Sequence, residues 1–223
     1  AAIGRLQQAG ALPGVIETMP TSRSLTVFFD PLATDRDALL AVLQPLIDAA
    51  EHGTPVDGRH WRLPVCYEGE AAPDLAEVAT TLGIGTDEVV ALHSGTEYLV
   101  YMLGFLPGFP FMGDLPERLR LPRRSQPRVR VPAGSVAIAT GLTAIYPWES
   151  PGGWHLLGRC PVPLFDARRA SPSLLAAGDK LRFTPVSADE CRALEAGLAS
   201  GDIDPMQWLV ADAARSVAME DAA

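Results

Sequence analysis

Residues 128–159, RVRVPAGSVAIATGLTAIYPWESPGGWHLLGR, decide the fold. Short runs of strand-forming residues are cut every few positions by glycine or proline, and no apolar residue recurs at helical spacing. That texture builds many short strands joined by tight turns, as in a barrel or sandwich, rather than a parallel sheet with crossover helices. The runs Val129–Val131, Ser135–Ala139, Ala144–Tyr146 and Trp154–Arg159 are the expected strands. On either side, Tyr98–Gly104 and Lys180–Pro185 share the character, so a β-barrel domain is expected over residues 91–186.

Upstream, residues 1–90 read as a small α+β domain. Gly14–Asp30 holds two extended stretches around a polar turn, and Leu25–Phe29 is rich in strand formers. Asp35 is a natural N-cap for a helix over Arg36–Ala50, where Leu39, Leu40, Leu43, Leu46 and Ile47 recur at helical spacing although Pro45 interrupts them. His60–Tyr67 alternates like a strand, and Pro64 predicts that it lies at an edge. Short helices are expected over Asp74–Leu82, ended by Gly83, and over Thr86–Leu92 with Thr86 at the N-cap. Downstream, residues 187–223 carry eight acidic and two basic side chains and form the expected acidic helical tail.

Composition narrows the function. The 223 residues are 48% hydrophobic and 20% charged, enough to bury one or two cores. A net charge of −9 argues against a general binder of nucleic acid or of anionic membranes. No apolar run approaches the ~18–20 residues of a membrane span. Cys66, Cys160 and Cys191 are widely spaced and odd in number, which fits a reduced, cytoplasmic protein without a disulfide framework. The first residues lack the layout of a signal peptide. No metal site is expected, because the four histidines show no HExxH spacing and no CxxC pair occurs.

The chain has no GxxxxGK[ST] loop, no GxSxG elbow and no GxGxxG turn, so a nucleotide has to bind in another way. Three stretches carry the chemistry that remains. In Leu103–Gly113, Phe105 and Phe109 supply apolar faces that serve either a packed corner or a substrate wall. Arg128 and Arg130 alternate on one expected strand, which suits recognition of a carboxylate or phosphate by arginine forks. The Pro-Ala-Gly-Ser turn that follows, ending at Ser135, offers backbone N–H groups to an oxyanion. Glu149, in a Pro/Gly-framed loop that leads to Trp154, is the best carboxylate for general-base or orienting work. His93 at the domain junction is the second catalytic candidate, although a lone histidine is more often a core group. The six arginines of Arg118–Arg130, with no acid among them, are either a solvated loop or an anion site.

Taken together, HSGTEYLVYMLGFLPGFPFMG (93–113), RVRVPAGSVAIATG (128–141) and IYPWESPGGWHLLGR (145–159) resemble the bacterial family that contains the 5-oxoprolinase B subunit. That family is also labelled allophanate hydrolase subunit 1, and it includes an inhibitor of a sporulation histidine kinase. Half of the carboxyltransferase region of urea carboxylase is similar too. The resemblance runs from about His60 to Pro185. It implies a ferredoxin-like α+β domain followed by a cyclophilin-like β-barrel. It also implies a subunit of an ATP-dependent 5-oxoprolinase that opens 5-oxoproline to glutamate and is inactive alone, its ATP site shared with a partner. The implied partners are a homologous second subunit, of the 5-oxoprolinase C or allophanate hydrolase subunit 2 type, and a third, lamB-type subunit. In that setting Arg128, Arg130 and backbone N–H groups would hold the charge that develops on an activated amide, with Ser135, Phe105, Phe109 and Trp154 around the substrate and Glu149 and His93 as the catalytic pair. Two other readings are a partner in a urea carboxylase-type carboxyltransferase and a binding module that inhibits a histidine kinase. A self-contained amidase is excluded, since such enzymes use a lysine with two serines and the only lysine is Lys180, in a turn into a strand.

Overall fold

Turn and cap chemistry build the first elements. In the computed structural model, which describes residues 3, 6, 9–21, 24–51 and 58–210, strands β1 (Val15–Pro20) and β2 (Leu25–Phe29) pair antiparallel. Asp35 caps helix α1 (Arg36–Glu51), its carboxylate accepting the Ala38 N–H at 2.8 Å. Leu39 and Leu43 of that helix bury against Leu12, with Val15, Val27 and Phe29 around them. The chain divides into two compact units between residues 56 and 57.

The second unit is organised by a strand that the sequence reading placed with the first. Strand β3 (His60–Cys66) is followed by helices α2 (Leu75–Leu82) and α3 (Thr86–Gly95), then β4 (Tyr98–Leu103), β5 (Pro110–Met112) and β6 (Arg128–Val131). Next come β7 (Ser135–Ala139), β8 (Leu142–Ile145), β9 (Ser150–Gly152), β10 (His155–Arg159) and β11 (Lys180–Val186). Helix α4 (Ala188–Ser200) and the short strand β12 (Leu209–Val210) end the described chain. The hydrogen-bonded order β10-β7-β8-β5-β4-β11-β3 returns to β10, so seven strands close a barrel. Every pairing in the ring is antiparallel except β3 with β11, which run parallel from His60 opposite Lys180 to Cys66 opposite Val186. Strands β6 and β9 form a separate two-stranded ribbon.

The closed barrel agrees with the cyclophilin-like expectation, but it needs residues well before 91. Its core joins Leu63 and Val65 of β3 and Val78 and Val89 of the two helices to Ile138, Leu157 and Leu181 of the barrel. The helices therefore cover the barrel, and the boundary lies near residue 56 and not near 90. The described elements of the first unit are the β1–β2 hairpin and helix α1, with helical backbone also at residues 3 and 6, and this arrangement does not by itself show a ferredoxin-like layer.

Pro64 is nevertheless placed where it costs no ladder bond on two sides. Beyond β11, β3 meets β12 at His60 and Trp61 and β10 at Cys66, and the described residues provide no ladder partner for the stretch between. Gly85, rather than Thr86, is the N-cap of α3. The acidic tail begins as expected, with a capping box between Ser187 and Glu190 on α4, but it then returns to add β12 to β3. Residues 211–223 lie outside the described residues. No helix among the described residues is long and apolar enough to cross a membrane.

The ring closes where β10 approaches β3 at Gly158. A Cβ there would lie 2.7 Å from the Cys66 carbonyl oxygen and from Val65 Cγ1. Gly158→Ala is expected to lower stability by roughly 1–3 kcal/mol through overpacking. Gly95→Ala, at a position with open space around it, is expected to stay within about 0.5 kcal/mol of wild type. Urea unfolding of the two variants side by side measures the difference.

Candidate functional site

The three stretches singled out in the sequence meet on one side of the barrel. Phe109, Val131, Tyr146 and Trp154 are buried in a second apolar cluster, distinct from the main core, with Phe111 packed against it. Phe109 lies 4.8 Å from Phe111 and 4.9 Å, edge to face, from Tyr146; Phe111 in turn meets Trp154 at 6.0 Å. The Arg123 guanidinium sits 6.0 Å above the Trp154 ring. Phe105 touches Phe109 edge-on at 5.5 Å but is 66% exposed.

Phe105 is held out by its backbone. It has φ +68°, and it is the middle residue of a three-residue turn in which Leu106 N–H donates to the Gly104 carbonyl at 2.8 Å. A non-glycine residue in that turn is strained. Gly104 N–H and Phe109 N–H are also bonded within the loop, and Gly108 fits so closely against Phe165 that a Cβ would lie 2.8 Å away. The loop is thus a fixed object presenting one aromatic ring to solvent.

The two arginines do not act together. Arg130 and Glu149 form a fork-to-fork pair, Nε to Oε1 and Nη2 to Oε2, both at 2.9 Å, on the exposed ribbon. Arg130 is 75% exposed along its side chain, and the Glu149 carboxylate raises its already high pKa. Arg128 turns the other way and grips Asp74 with Nη1 at 2.9 Å and Nη2 at 2.5 Å. A register shift within the β6–β9 ribbon accompanies this divergence, so strict alternation fails there. Asp74 is 2% exposed. It also accepts Arg124 Nη1 at 3.2 Å and the Leu156 N–H at 2.7 Å, while its own N–H donates to the Leu156 carbonyl at 3.1 Å. Arg124 bridges onward to Glu77, which raises its pKa.

The Pro-Ala-Gly-Ser turn offers less to an oxyanion than its sequence suggests. Gly134 N–H donates to the Tyr146 carbonyl at 2.7 Å and Ser135 N–H to the Pro132 carbonyl at 3.3 Å, so the first is tied to the residue that follows β8 and the second is used within the turn. Ser135 itself is buried, opposite Arg159 across β7 and β10.

His93 lies apart from all of these, fully buried in the main core, where its ring stacks on Phe183 at 4.8 Å. Thr143 donates its hydroxyl hydrogen to the Ala137 carbonyl at 3.1 Å, so its oxygen accepts His93 Nε2–H at 2.9 Å. That fixes the tautomer, and Nδ1 accepts the Tyr67 hydroxyl at 2.8 Å. Both ring nitrogens are satisfied, and the relay Tyr67–His93–Thr143 pins α3 to the barrel. Burial pushes the His93 pKa down to about 3. The three cysteines are free thiols, and burial pushes Cys160 up to about 12. Among the described residues no three His, Cys, Asp or Glu side chains gather in a way that could hold a metal ion.

Sequence reasoning overlooked Asp74, Arg124 and Tyr146. Asp74 precedes a helix and so reads as an ordinary N-cap, yet its side chain makes no cap bond.

The model of the carboxyltransferase domain, subdomain C and D, matches residues 1–175. The chain belongs to that family. It is 42% identical over 192 residues to the 5-oxoprolinase B subunit of Bacillus subtilis, covering 81% of this chain and 80% of that one. With the 5-oxoprolinase B subunit of Escherichia coli O157:H7 the identity is 44% over 181 residues, 81% and 82% of the two chains. Among solved structures, TTHA0988 superposes with a TM-score of 0.70 at 42% identity, covering 83% of this chain and 35% of that longer chain. PH0987 from Pyrococcus horikoshii gives 0.58 at 34% identity, covering 85% and 87%. Family membership thus agrees with the resemblance read from the three motifs.

The His93 environment sets a pH dependence. An unfolded histidine takes up its proton near pH 6.5, whereas the folded one resists protonation until about pH 3. Acid therefore favours the unfolded chain, and stability falls as pH drops below about 6.5, by at most ~1.4 kcal/mol per pH unit from this group. His93→Gln keeps a donor and an acceptor but cannot titrate. Urea unfolding between pH 7 and 4 is expected to give a shallower pH slope for this variant than for wild type.

Proposed function

We propose that this chain is a subunit of an ATP-dependent 5-oxoprolinase, opening the lactam of 5-oxoproline to glutamate together with partner subunits. The observation that carries the reading is the 42–44% identity to proteins named as the B subunit of 5-oxoprolinase, over four-fifths of both chains. The carboxyltransferase alternative fits less well: the yeast urea amidolyase is 27% identical, and the match covers 11% of its length. A second subunit of the same barrel type and a lamB-type third subunit are the proposed partners, and the cytoplasm is the proposed location.

The geometry supports a shared site in preference to a self-contained one. Arg128 and the Gly134 and Ser135 amides are occupied internally, and His93 is sealed in the core. Arg130 and Glu149 remain as groups that can exchange partners, because an exposed pair is weakly held in water. Of the aromatic residues expected around the substrate, Phe105 is exposed and can meet a ligand, whereas Phe109 and Trp154 are buried and back the loop that carries it. In an assembled enzyme Arg130 would receive the anionic group of the substrate or intermediate, and Glu149 would orient it or accept a proton.

The purified chain alone is expected to release no ADP in response to 5-oxoproline, while the complex with its partners does. A coupled ADP assay decides between the two. In the active complex, Arg130→Ala is expected to lower kcat/KM roughly tenfold to hundredfold, and Arg130→Lys to restore only part of it. The melting temperature should not change. Wild-type kcat/KM in the Ala variant would place the site elsewhere.

A further inference from the structure

A cleft outside the aromatic cluster has the chemistry of a binding site. It measures about 690 Å³ and lies between the Phe165–Arg169 segment and residues 198–205. Leu198 and Ile203 line it, and Trp148 and Phe165, with ring centroids 6.1 Å apart, form an aromatic wall. Trp148 is half exposed.

The charges on the rim are unequal in their commitments. Asp166 holds Arg168 through Nε at 3.0 Å and Nη2 at 2.8 Å, which fixes that guanidinium and leaves Nη1 uncommitted. Asp204 accepts the Met206 N–H at 2.9 Å as the cap of the following turn. Arg169 is half-buried, donates once to the Pro163 carbonyl at 3.2 Å and forms no ion pair among the described residues. A half-buried arginine with unused donors, beside an exposed tryptophan, suits a ligand with one flat face and one anionic end.

Size selects within that class. Pockets for drug-sized ligands and cofactors span roughly 300–1,000 Å³. A five-membered lactam acid would occupy a small part of this cleft, whereas a nucleotide is of the size that such a volume accommodates.

We propose that this cleft binds a nucleotide, its base stacked on the exposed Trp148 with the Phe165 ring tilted 60° beside it, and its phosphate oxygens held by Arg169 and the remaining Nη1 of Arg168. This rests on the ATP-dependent reading above and gives the nucleotide its place on this chain. Stacking on an aromatic face accepts any base, and guanidinium N–H groups make strong, charge-assisted hydrogen bonds to phosphate oxygens.

The test is calorimetric titration of ATP into the wild-type chain and into Trp148→Ala and Arg169→Ala, with melting temperatures as the folding control. Saturable binding by wild type, weakened at least tenfold in each variant, is expected. In the complex with partner subunits, both variants should raise KM for ATP about tenfold and leave KM for 5-oxoproline unchanged. Absence of binding to the wild-type chain, or variants that bind like wild type, overturns the proposal even if the complex is active. Retention of Arg169-dependent ATP binding in a complex that shows no 5-oxoproline-dependent ADP release would instead overturn the oxoprolinase reading and leave this site standing.

Discussion

One buried carboxylate constrains much of the second unit. Asp74 is almost out of water, and a charge so placed is tolerated only when charged and hydrogen-bonding partners surround it. Its partners come from two distant places in the sequence: Arg124 and Arg128 from the arginine-rich stretch, and the Leu156 N–H from β10. Breaking such an arrangement from one side costs about 3–5 kcal/mol, because the remaining charge stays buried. The bond therefore fixes where helix α2 begins, where β10 runs and how residues 124–128 cross between them.

That constraint gives the arginine-rich stretch its meaning. Arg118 pairs with Glu88 and Arg120 with Glu117, Arg123 covers Trp154, Arg124 and Arg128 share Asp74, and Arg130 takes Glu149. Six cations crowded into one isolated loop would repel one another. Here each is answered by a carboxylate or an aromatic face, most of them from elsewhere in the chain, and the stretch works as a strap tied across helices and barrel. The strap leads directly into β6, so the position of the Arg130–Glu149 pair on the ribbon follows from how the strap is held.

Much of the barrel was legible because its strands announce themselves locally. Ser135–Ala139 and Lys180 onward form as expected, since glycine and proline turns fix strand ends without reference to the rest of the chain. The membership of β3 was not legible: its partner β11 lies about 120 residues away and runs parallel, and neither fact leaves a local mark. The site divides along the same line. Aromatic residues in the three motifs come together because each motif is a rigid corner, and the pairing of Glu149 with Arg130 follows from neighbouring strands of one ribbon. The separation of Arg128 from Arg130 depends on a register shift and on Asp74, which only the tertiary structure reveals. For His93, an isolated histidine on a short helix carries no sign of whether a tyrosine and a threonine will meet it.

The contrast between His93 and the Arg130–Glu149 pair says what kind of site the barrel can offer. The histidine is buried, neutral and satisfied at both nitrogens, so any movement of its proton would break a relay that holds helix to barrel. The ion pair is exposed and screened, so exchange with an incoming anion costs little, but in water it also contributes little. Its electrostatic strength would rise only if water were removed from around it, since charge interactions grow steeply as the local dielectric falls. Nothing within the ribbon can do this; a second surface has to cover it. Phe105, fixed outward in a strained turn at the same side of the barrel, is the kind of residue such a surface would enclose, and burying its exposed ring would offset the strain that holds it there.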